Sequence, residues 1–574
     1  MAMTNEEIAQ RFLEIADLLE IEDANPFRVR AYRTAARVVG EHPERLDQVA
    51  RSDPESLKEL PGIGDDLAAK IVELVRTGRL EMLHELEERT PPGVAELMRL
   101  PGIGPSKARA LHDALGITSL AALRRALELG HVRELPGFGE RTEARLLAAL
   151  VAREAEGERR ALRAVAAVPA EAIAHALRAA PGVEACDIAG SFRRGRDTVG
   201  DLDILVAAGD GEAAIETFCS LPDVRSVLAR GGTKATVRLA TGLQVDLRVV
   251  PPDSYGAALL YFTGSKAHNI ALRRQAQRRG LLLNEYGLHR EKKRIAGRTE
   301  EEVYRAFGLP WIPPELRENA GELEAAATHA LPRLLELADI RGDLQAHSTD
   351  SDGRDDLAAM AGAAEALGYE YLAMTDHSPA VRVAGGMDAA GFRAQARRID
   401  RLNAKLRKLR VLKGAEVDIR ADGSLDLDDA TLARLDVVIA TFHSRFTLPP
   451  REQTRRLVRA VSHPRVNIFG HPTGRLIGRR PPSAYDFGAV VKACAEHGVA
   501  MEIDGQPERM DLDDQLARLA LQAGVKLVIS SDAHSTVELG FMRWGVSQAR
   551  RAWAVKKDVL NTLPLERLLR ALAR

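Results

Sequence analysis

From Asp343 to the C-terminus the chain alternates strand-like and helix-like segments, and that alternation constrains its fold more than any other feature. Seven strand candidates follow one another: DLQAHS, YLAMTDH, VLKGAEVD, DVVIATFH, VNIFGHP, VAMEIDG and KLVISSDAH. Helical segments separate most of them. Strands joined through helices run parallel, and this series predicts a closed barrel over residues 339–574, a distorted (β/α)7 relative of the TIM barrel. In such a barrel the strand ends and the loops after them converge on one rim. The polar residues at those ends are Gln345 and His347 with Asp352, then His377, Glu416, His443 and His471, and Asp532 with His534. Imidazole and carboxylate together suit Zn²⁺ or Mn²⁺. A lone histidine of this kind is usually a core or surface residue, but a series at successive strand ends predicts a metal centre.

The first 150 residues read as all-helical and carry a repeat. The copies are LPGIGDDLAAKI (Leu60 to Ile71), LPGIGPSKARAL (Leu100 to Leu111) and LPGFGERTEARL (Leu135 to Leu146). The glycines Gly62 and Gly64, Gly102 and Gly104, and Gly137 and Gly139 permit a tight turn before each helix. Backbone N–H groups at the helix start can then face an anion, and on a nucleic acid that anion is a phosphate, contacted without regard to sequence. Lys70 and Lys107, on the helices that follow, belong to the same expected DNA-binding surface. A plain helix-turn-helix packing corner explains one copy; three copies favour phosphate binding.

Between these halves lies GSFRRGRDTVGDLDILV, Gly190 to Val206. Strand side chains alternate faces, so Asp201 and Asp203 share one face while Leu202 packs on the other. Carboxylates that close repel unless a cation sits between them. The segment ATVRLATGLQVDLRVV reads as two strands joined at Thr241-Gly242, and its second strand supplies Asp246. Three carboxylates on neighbouring strands form an oxygen site for Mg²⁺ or Mn²⁺. Two such ions can activate an attacking hydroxyl and stabilise a leaving pyrophosphate. Gly190 and Ser191 can present N–H groups and a hydroxyl to a triphosphate, and Arg194 a bidentate fork.

The totals add exclusions. The net charge is -1, so nucleic-acid binding has to come from local patches such as Arg273 to Arg298, with nine Lys/Arg against Glu285 and Glu291. Cys186, Cys219 and Cys494 form no CxxC pair, which argues against a disulfide framework or thiolate zinc and fits a reducing compartment. The N-terminal segment MAMTNEEIAQRFLEIADLLE is acidic and helical in period, unlike a signal peptide, and no long uncharged apolar run follows. The expectation is a cytoplasmic protein with no membrane partner.

With these motifs the first 318 residues resemble the family X DNA polymerases, and the whole chain resembles the bacterial type that carries a C-terminal polymerase-and-histidinol-phosphatase domain. The resemblance implies a multidomain α/β protein: a helical lyase-like domain (1–88), helix-hairpin-helix fingers (89–150), a nucleotidyltransferase palm with a mixed sheet (151–250), a nucleotide-pocket and basic domain (251–318), a helical linker (319–338) and the phosphoesterase barrel (339–574). It makes Asp201, Asp203 and Asp246 the catalytic metal ligands, and places Gly190, Ser191, Arg194 and Gly200 at the nucleotide triphosphate. YFTGSKAHNIALR resembles the family's nucleotide-pocket helix, with Tyr261, Phe262 and Gly264 facing the sugar and Asn269 and Arg273 near the base and template minor groove. Lys266 stands where many relatives carry an acid. Lys70 aligns with the Schiff-base lysine of the lyase members, but Asp66 replaces a supporting lysine and Phe27 and Arg28 replace a polar pair. Lyase activity is therefore expected to be weak or absent, with Lys70 binding phosphate.

In the barrel the resemblance implies three metals. Gln345, His347, Glu416 and Asp532 take one; Glu416 bridges to a second with His443 and His471; Asp352, His377 and His534 hold the third. Gln345 stands where the family usually has histidine. The implied function is gap filling in DNA repair on gapped or primer-template DNA with deoxynucleoside triphosphates, with a 3′-5′ exonuclease and, as a further activity, an abasic endonuclease. Three rivals remain: a nucleotidyltransferase with a small-molecule acceptor, opposed by the three glycine hairpins; a non-catalytic DNA-end scaffold, opposed by both constellations; and a polymerase whose barrel is only structural, supported by Gln345.

Overall fold

The computed structural model describes the chain except Met1, Ala2, Thr4, Asp23, 43–45, Arg99, Pro101, Glu158, Arg159, Lys292 and Arg574. Pro101 of the second Leu-Pro-Gly copy, Lys292 of the basic run and the first two residues of the acidic N-terminal segment thus lie outside the described residues. The chain divides into two compact units, Met1–Arg159 and Arg160–Arg574.

The first unit is helical throughout its described residues and has two apolar cores. One gathers side chains from Ile8 to Leu86, the other from Val94 to Leu150 with Ile21. The three glycine turns share one geometry. Gly62, Gly102 and Gly137 have φ of +82°, +96° and +84°, a region open to glycine and strained for other residues. The apolar residue between each pair of glycines, Ile63, Ile103 or Phe138, is buried and ties the turn to the core. Helices Asp65–Thr77, Pro105–Leu115 and Glu140–Gly157 start directly after the turns. The last of them crosses the domain boundary expected at 150/151.

The second unit begins with a five-stranded mixed sheet: β1 Val183–Ile188, β2 Asp201–Ala208, β3 Val224–Arg230, β4 Lys234–Leu239 and β5 Gln244–Val250. Their order is β1-β2-β5-β4-β3. Only β2 and β5 run parallel; the other neighbours are antiparallel. The β4–β5 hairpin turns at Gly242, φ +88°, as the Thr-Gly pair predicts. β3 has no counterpart in the sequence reading, because nearly all of its residues are exposed and no inward-outward alternation marks it.

Helices Tyr255–Thr263 and Lys266–Arg278 follow, then an antiparallel sheet of β6 Leu281–Asn284, β7 Gly287–Arg290 and β8 Lys293–Ala296. The basic run spans the end of a helix and this small sheet. The helical linker expected at 319–338 is helical only over Glu322–Ala327 and, as a 3₁₀ turn, at Leu337–Asp339. Leu323, Ala326 and Leu334 are buried in the same core as Leu260 and Leu272, and the Leu335 N–H donates to Ala554 O at 3.0 Å. The segment is packed structure; Pro332 interrupts its helical period.

The barrel strands are β9 Gly342–Ala346, β10 Tyr371–Met374, β11 Arg410–Asp418, β12 Val437–Thr441, β13 Ile468–Phe469, β14 Ala500–Asp504 and β15 Leu527–Ser530. All are parallel to their neighbours and pair in chain order, as the alternation predicts. The sheet nearly closes where Ala346 meets Ala533 and the His347 N–H donates to Ala533 O at 2.8 Å.

Candidate active sites

Strand register builds the first site. In the parallel β2–β5 ladder Asp203 lies opposite Asp246 and Asp201 opposite Gln244. The three carboxylates therefore share one face of two adjacent strands. Thr236 on β4 donates its hydroxyl to Asp246 Oδ1 at 2.5 Å, and Gln244 Nε2 donates to Oδ2 at 2.9 Å. Burial, then the charges of Asp201 and Asp246, push the Asp203 carboxyl up to about 7; burial and Asp246 raise Asp201 as well. A divalent cation removes that repulsion, and an all-oxygen donor set fits a hard ion.

The turn before β2 is set against these acids. Gly190 has φ +62°, and a Cβ there would run into the Asp203 carboxylate, so the position requires glycine twice over. Arg194 donates through Nε to Glu318 at 3.1 Å and through Nη1 to Thr263 O at 2.5 Å. Gly264, φ +72°, approaches the same guanidinium. Arg160 Nη1 lies beside Gly200. Asn269 Nδ2 donates to Tyr261 O at 2.7 Å, and the Arg273 guanidinium lies 5.1 Å from the Tyr261 ring centre; all three line a small cavity with Leu260 and Asn284. The Tyr261 and Phe262 rings meet edge-on at 5.1 Å.

The second site lies at the strand ends of the barrel, in a cavity of about 230 Å³. Glu416 is central: its Oε1 lies 3.2 Å from His443 Nε2 and 2.8 Å from His471 Nε2, and its Oε2 lies 3.2 Å from His377 Nδ1 and 3.4 Å from His347 Nε2. Asp352 is 3.4 Å from both His377 and His534, and Asp532 Oδ1 is 3.0 Å from His347 Nε2. Three groups have ligand atoms close enough to share an ion: His347, Asp352, His377 and His534; His377, Glu416 and His443; and His347, Glu416 and Asp532. His377 thus stands between two of the groups expected from sequence. Gln345 Nε2 donates to Asp532 Oδ1 at 3.3 Å, while its fully buried Oε1 has no partner among the described residues. That orphaned oxygen and the unpaired Nδ1 of His471 are atoms that a bound cation and its waters can satisfy.

Charge in the barrel site is balanced between the acids and imidazoles. Burial disfavours an ionised Glu416, but His377, His443 and His471 outweigh it and hold its carboxyl well below the usual range. Burial lowers His443, yet Glu416 and Asp418 push it up to about 9. Asp532 and His471 have φ of +49° and +25°, a left-handed conformation uncommon for residues with side chains and concentrated at functional sites.

Sequence comparisons agree with both halves. The DNA polymerase beta thumb model matches residues 258–318, a helix-hairpin-helix domain matches 3–80, and a SAM-like helix-hairpin-helix tandem matches 94–152. Over 563 residues, 97% of each chain, the protein is 38% identical to the DNA polymerase/3′-5′ exonuclease PolX of Bacillus subtilis (strain 168). The chain belongs to the PolX family of DNA polymerase/3′-5′ exonucleases. DNA polymerase lambda of Rattus norvegicus is 28% identical over 298 residues, 45% of this chain and 48% of that protein. A probable phosphatase of Thermoanaerobacter sp. (strain X514) is 30% identical over 208 residues, 34% of this chain and 79% of that protein. Membership in the PolX family carries DNA binding and the use of divalent metals with it. No helix among the described residues is long and apolar enough to cross a membrane.

Several residues of this PolX chain escape a sequence reading. Glu300 accepts both arms of Arg193, at 2.8 and 2.9 Å, and both arms of the buried Arg317, at 2.6 and 3.0 Å. Buried His268 contacts Glu322 at 2.6 Å and the Tyr304 hydroxyl at 2.9 Å. In the barrel Asp418 holds His443 through both its backbone N–H, at 2.9 Å, and Nδ1, at 3.1 Å, and Glu502 accepts the His471 N–H at 2.8 Å. Arg509 lines the cavity 3.6 Å from Asp504. Arg193 and His268 fall inside GSFRRGRDTVGDLDILV and YFTGSKAHNIALR, but nothing in those segments marks their partners; among the others, only the two-residue spacing from Glu416 to Asp418 along β11 is a local signal.

Proposed function

We propose that this PolX enzyme fills short gaps in DNA at Asp201, Asp203 and Asp246 and trims 3′ ends at the barrel centre. The observation that carries the first part is the in-register pairing of Asp203 with Asp246, with Asp201 on the same face. These acids would hold Mg²⁺ or Mn²⁺, which would supply activation of the primer hydroxyl and charge neutralisation at the pyrophosphate. Thr236 and Gln244 fix the orientation of Asp246. Gly190, Ser191, Arg194 and Gly200 receive the triphosphate of the incoming deoxynucleotide. Tyr261, Phe262, Gly264, Asn269 and Arg273 form its sugar and base pocket.

In the barrel, Gln345, His347, Asp352, His377, Glu416, His443, His471, Asp532 and His534 hold up to three ions, Zn²⁺ or Mn²⁺. Ions held by these residues would supply Lewis-acid activation of water and of a phosphodiester. The Gln345 oxygen replaces an imidazole nitrogen, so one ion is held more loosely and Mn²⁺ supports activity better than Zn²⁺. The hairpin glycines, with Lys70 and Lys107, bind the phosphate backbone of gapped or primer-template DNA. The domain limits we propose are 1–88, 89–150, 151–250, 251–318, 319–338 and 339–574, although helix Glu140–Gly157 crosses the second limit and residues 319–338 pack into the core of the segment before them; the protein works in the cytoplasm. One assay tests this reading: labelled gapped DNA with and without deoxynucleotides, in Mg²⁺ and in Mn²⁺. Primer extension and primer shortening are both expected, and an abasic-site duplex in the same series reads the endonuclease activity. No extension in either ion would overturn the polymerase assignment; no shortening would leave the barrel a structural domain, the rival that Gln345 favours.

A further inference from the structure

The turn that carries Gly190, Ser191 and Arg194 is gripped by the barrel. Phe192 and Trp544 flank the Arg163 guanidinium, at 5.4 and 5.1 Å from the ring centres, and Arg163 donates to Ser547 Oγ at 2.6 Å. Trp544 and Ser547 belong to the barrel helix Met542–Arg551. A Cβ on Gly195 would come 2.7 Å from Ser547 Oγ, so the backbone just after Arg194 lies directly against that helix. Asp197 accepts from Arg475 of the barrel at 2.7 Å.

The last residue of the helix reaches furthest. Arg551 donates through Nη1 to the Arg194 carbonyl at 2.7 Å and to Glu318 Oε1 at 3.1 Å, and through Nη2 to Asp514 at 2.6 Å. Glu318 Oε1 also accepts from Arg194 Nε, at 3.1 Å. One carboxylate oxygen is thus shared between a palm arginine and a barrel arginine, and the barrel arginine is 1% exposed. Two arginines this close repel each other; Glu318 and Asp514 neutralise them as a set. The arrangement fixes both the backbone of Arg194, through its carbonyl, and its guanidinium, through Nε. The bonds to Glu318 and Thr263 use two of the five N–H donors of that guanidinium, which leaves donors for a triphosphate.

We propose that Arg551, a residue of the nuclease half, is a positioning residue of the polymerase reaction: through Glu318 and the Arg194 carbonyl it sets Arg194 for the incoming triphosphate. This rests on the reading of Arg194 as a triphosphate ligand. Without Arg551, Glu318 pairs with Arg194 alone, and the guanidinium is drawn toward the carboxylate and away from the nucleotide.

The test uses the full-length protein with steady-state gap filling over a range of deoxynucleotide, and 3′-end trimming on the same preparations. Arg551→Ala should raise KM for deoxynucleotide about tenfold, the usual size of a lost hydrogen bond to a charged group, with kcat changed less than about threefold and trimming intact. Arg551→Lys keeps the charge but loses the fork and should recover part of the loss; it also serves should Arg551→Ala fail to fold. Arg550→Ala is the control. Arg550 lies on the same helix, bonded to Glu315 at 2.7 Å and Leu335 O at 2.8 Å, away from the Arg194 turn. Its KM should stay at the wild-type value. The double variant Arg194→Ala/Arg551→Ala should be no worse than Arg194→Ala alone, because Arg551 acts through Arg194. An unchanged KM in Arg551→Ala, an equal rise in Arg550→Ala, or additive effects in the double variant would overturn the proposal. If Arg194→Ala itself leaves KM unchanged, the triphosphate reading fails and the proposal falls with it; if Arg194→Ala raises KM and Arg551→Ala does not, only the proposal falls.

Discussion

The palm and barrel centres gather negative charge by opposite routes. In the palm, two acids stand two residues apart on β2, and one ladder brings the third: Asp246 is placed by the same register that pairs Leu202 with Val245. The centre depends on that register alone, since a one-residue slip would turn Asp246 to the opposite face. In the barrel no two strands suffice. Gln345 and Asp532 touch across 187 residues of sequence, and His347 meets them only because the first and last strands close the ring. A register-built centre tolerates change elsewhere in the fold; a closure-built centre depends on every strand between its ligands.

The largest expected effects separate the two centres. Asp246→Asn keeps the shape and the Thr236 hydrogen bond but removes a charge at the cation site, and gap filling should fall about a thousandfold or more while 3′-end trimming persists. His377→Ala, which removes the imidazole standing between two ligand groups, should abolish trimming and leave extension at the wild-type level. Primer extension assays on both variants check this. If either substitution removed both activities, the two centres would not be independent.

Inside the barrel the contrast turns on Gln345. Gln345→His exchanges the orphaned amide oxygen for an imidazole nitrogen. Metal affinity should rise about tenfold, the lower end of what one changed partner does at a metal centre, and Zn²⁺ should gain on Mn²⁺ in supporting trimming. Metal analysis after dialysis against a graded chelator measures the first, and trimming rates in the two ions the second. Unaltered metal content would mean that Gln345 is no ligand.

What the sequence shows of each region follows from the same contrast. Period-two alternation and a Thr-Gly turn expose β2, β4 and β5, and with them the acid cluster, because each signal is local. The barrel strands are apolar runs separated by helices, so their order is readable, and the histidines and acids that cluster in the cavity follow at the strand ends. β3 is silent because it is an exposed edge with no buried face. The segment at 319–338 reads as helix by period, but its leucines are held by packing and by Ala554. Arg193, Glu300 and Arg317, or Arg194, Glu318 and Arg551, are joined only by tertiary structure; nothing in their spacing announces a shared carboxylate.

In the N-terminal unit the proposed phosphate contacts come from the hairpin backbone with Lys70 and Lys107, without a bound metal ion, and the expected effects are smaller. Gly102 has φ +96°, and a Cβ there would lie 2.6 Å from the Arg145 guanidinium. Gly102→Val should deform the turn and weaken gapped-DNA binding about fivefold, with the slope of log affinity against log salt becoming shallower by about 0.9 for each phosphate the protein no longer neutralises. Fluorescence anisotropy across a salt series reads both numbers, and an affinity that ignores salt would contradict backbone recognition.

The smallest effect concerns Lys70. An amine forms an imine with a sugar aldehyde only when neutral. Lys70 is ion-paired with Asp66. Burial lowers its pKa, but the Asp66 carboxylate and Tyr32 outweigh burial and leave it raised. Starting from an ordinary value of ~10.4, fewer than about one amine in a thousand is neutral at pH 7, and the upward shift makes it rarer. Borohydride trapping on a 5′-deoxyribose-phosphate end should therefore yield little or no adduct at pH 7, and what forms should increase as pH rises toward the amine's own range. Asp66→Asn removes the carboxylate that raises the pKa, so the neutral fraction and the adduct should both increase, by no more than a few-fold. A strong adduct in the unmodified protein at pH 7, lost in Lys70→Ala, would show that the unit carries a third reaction centre, one built on neither register nor closure.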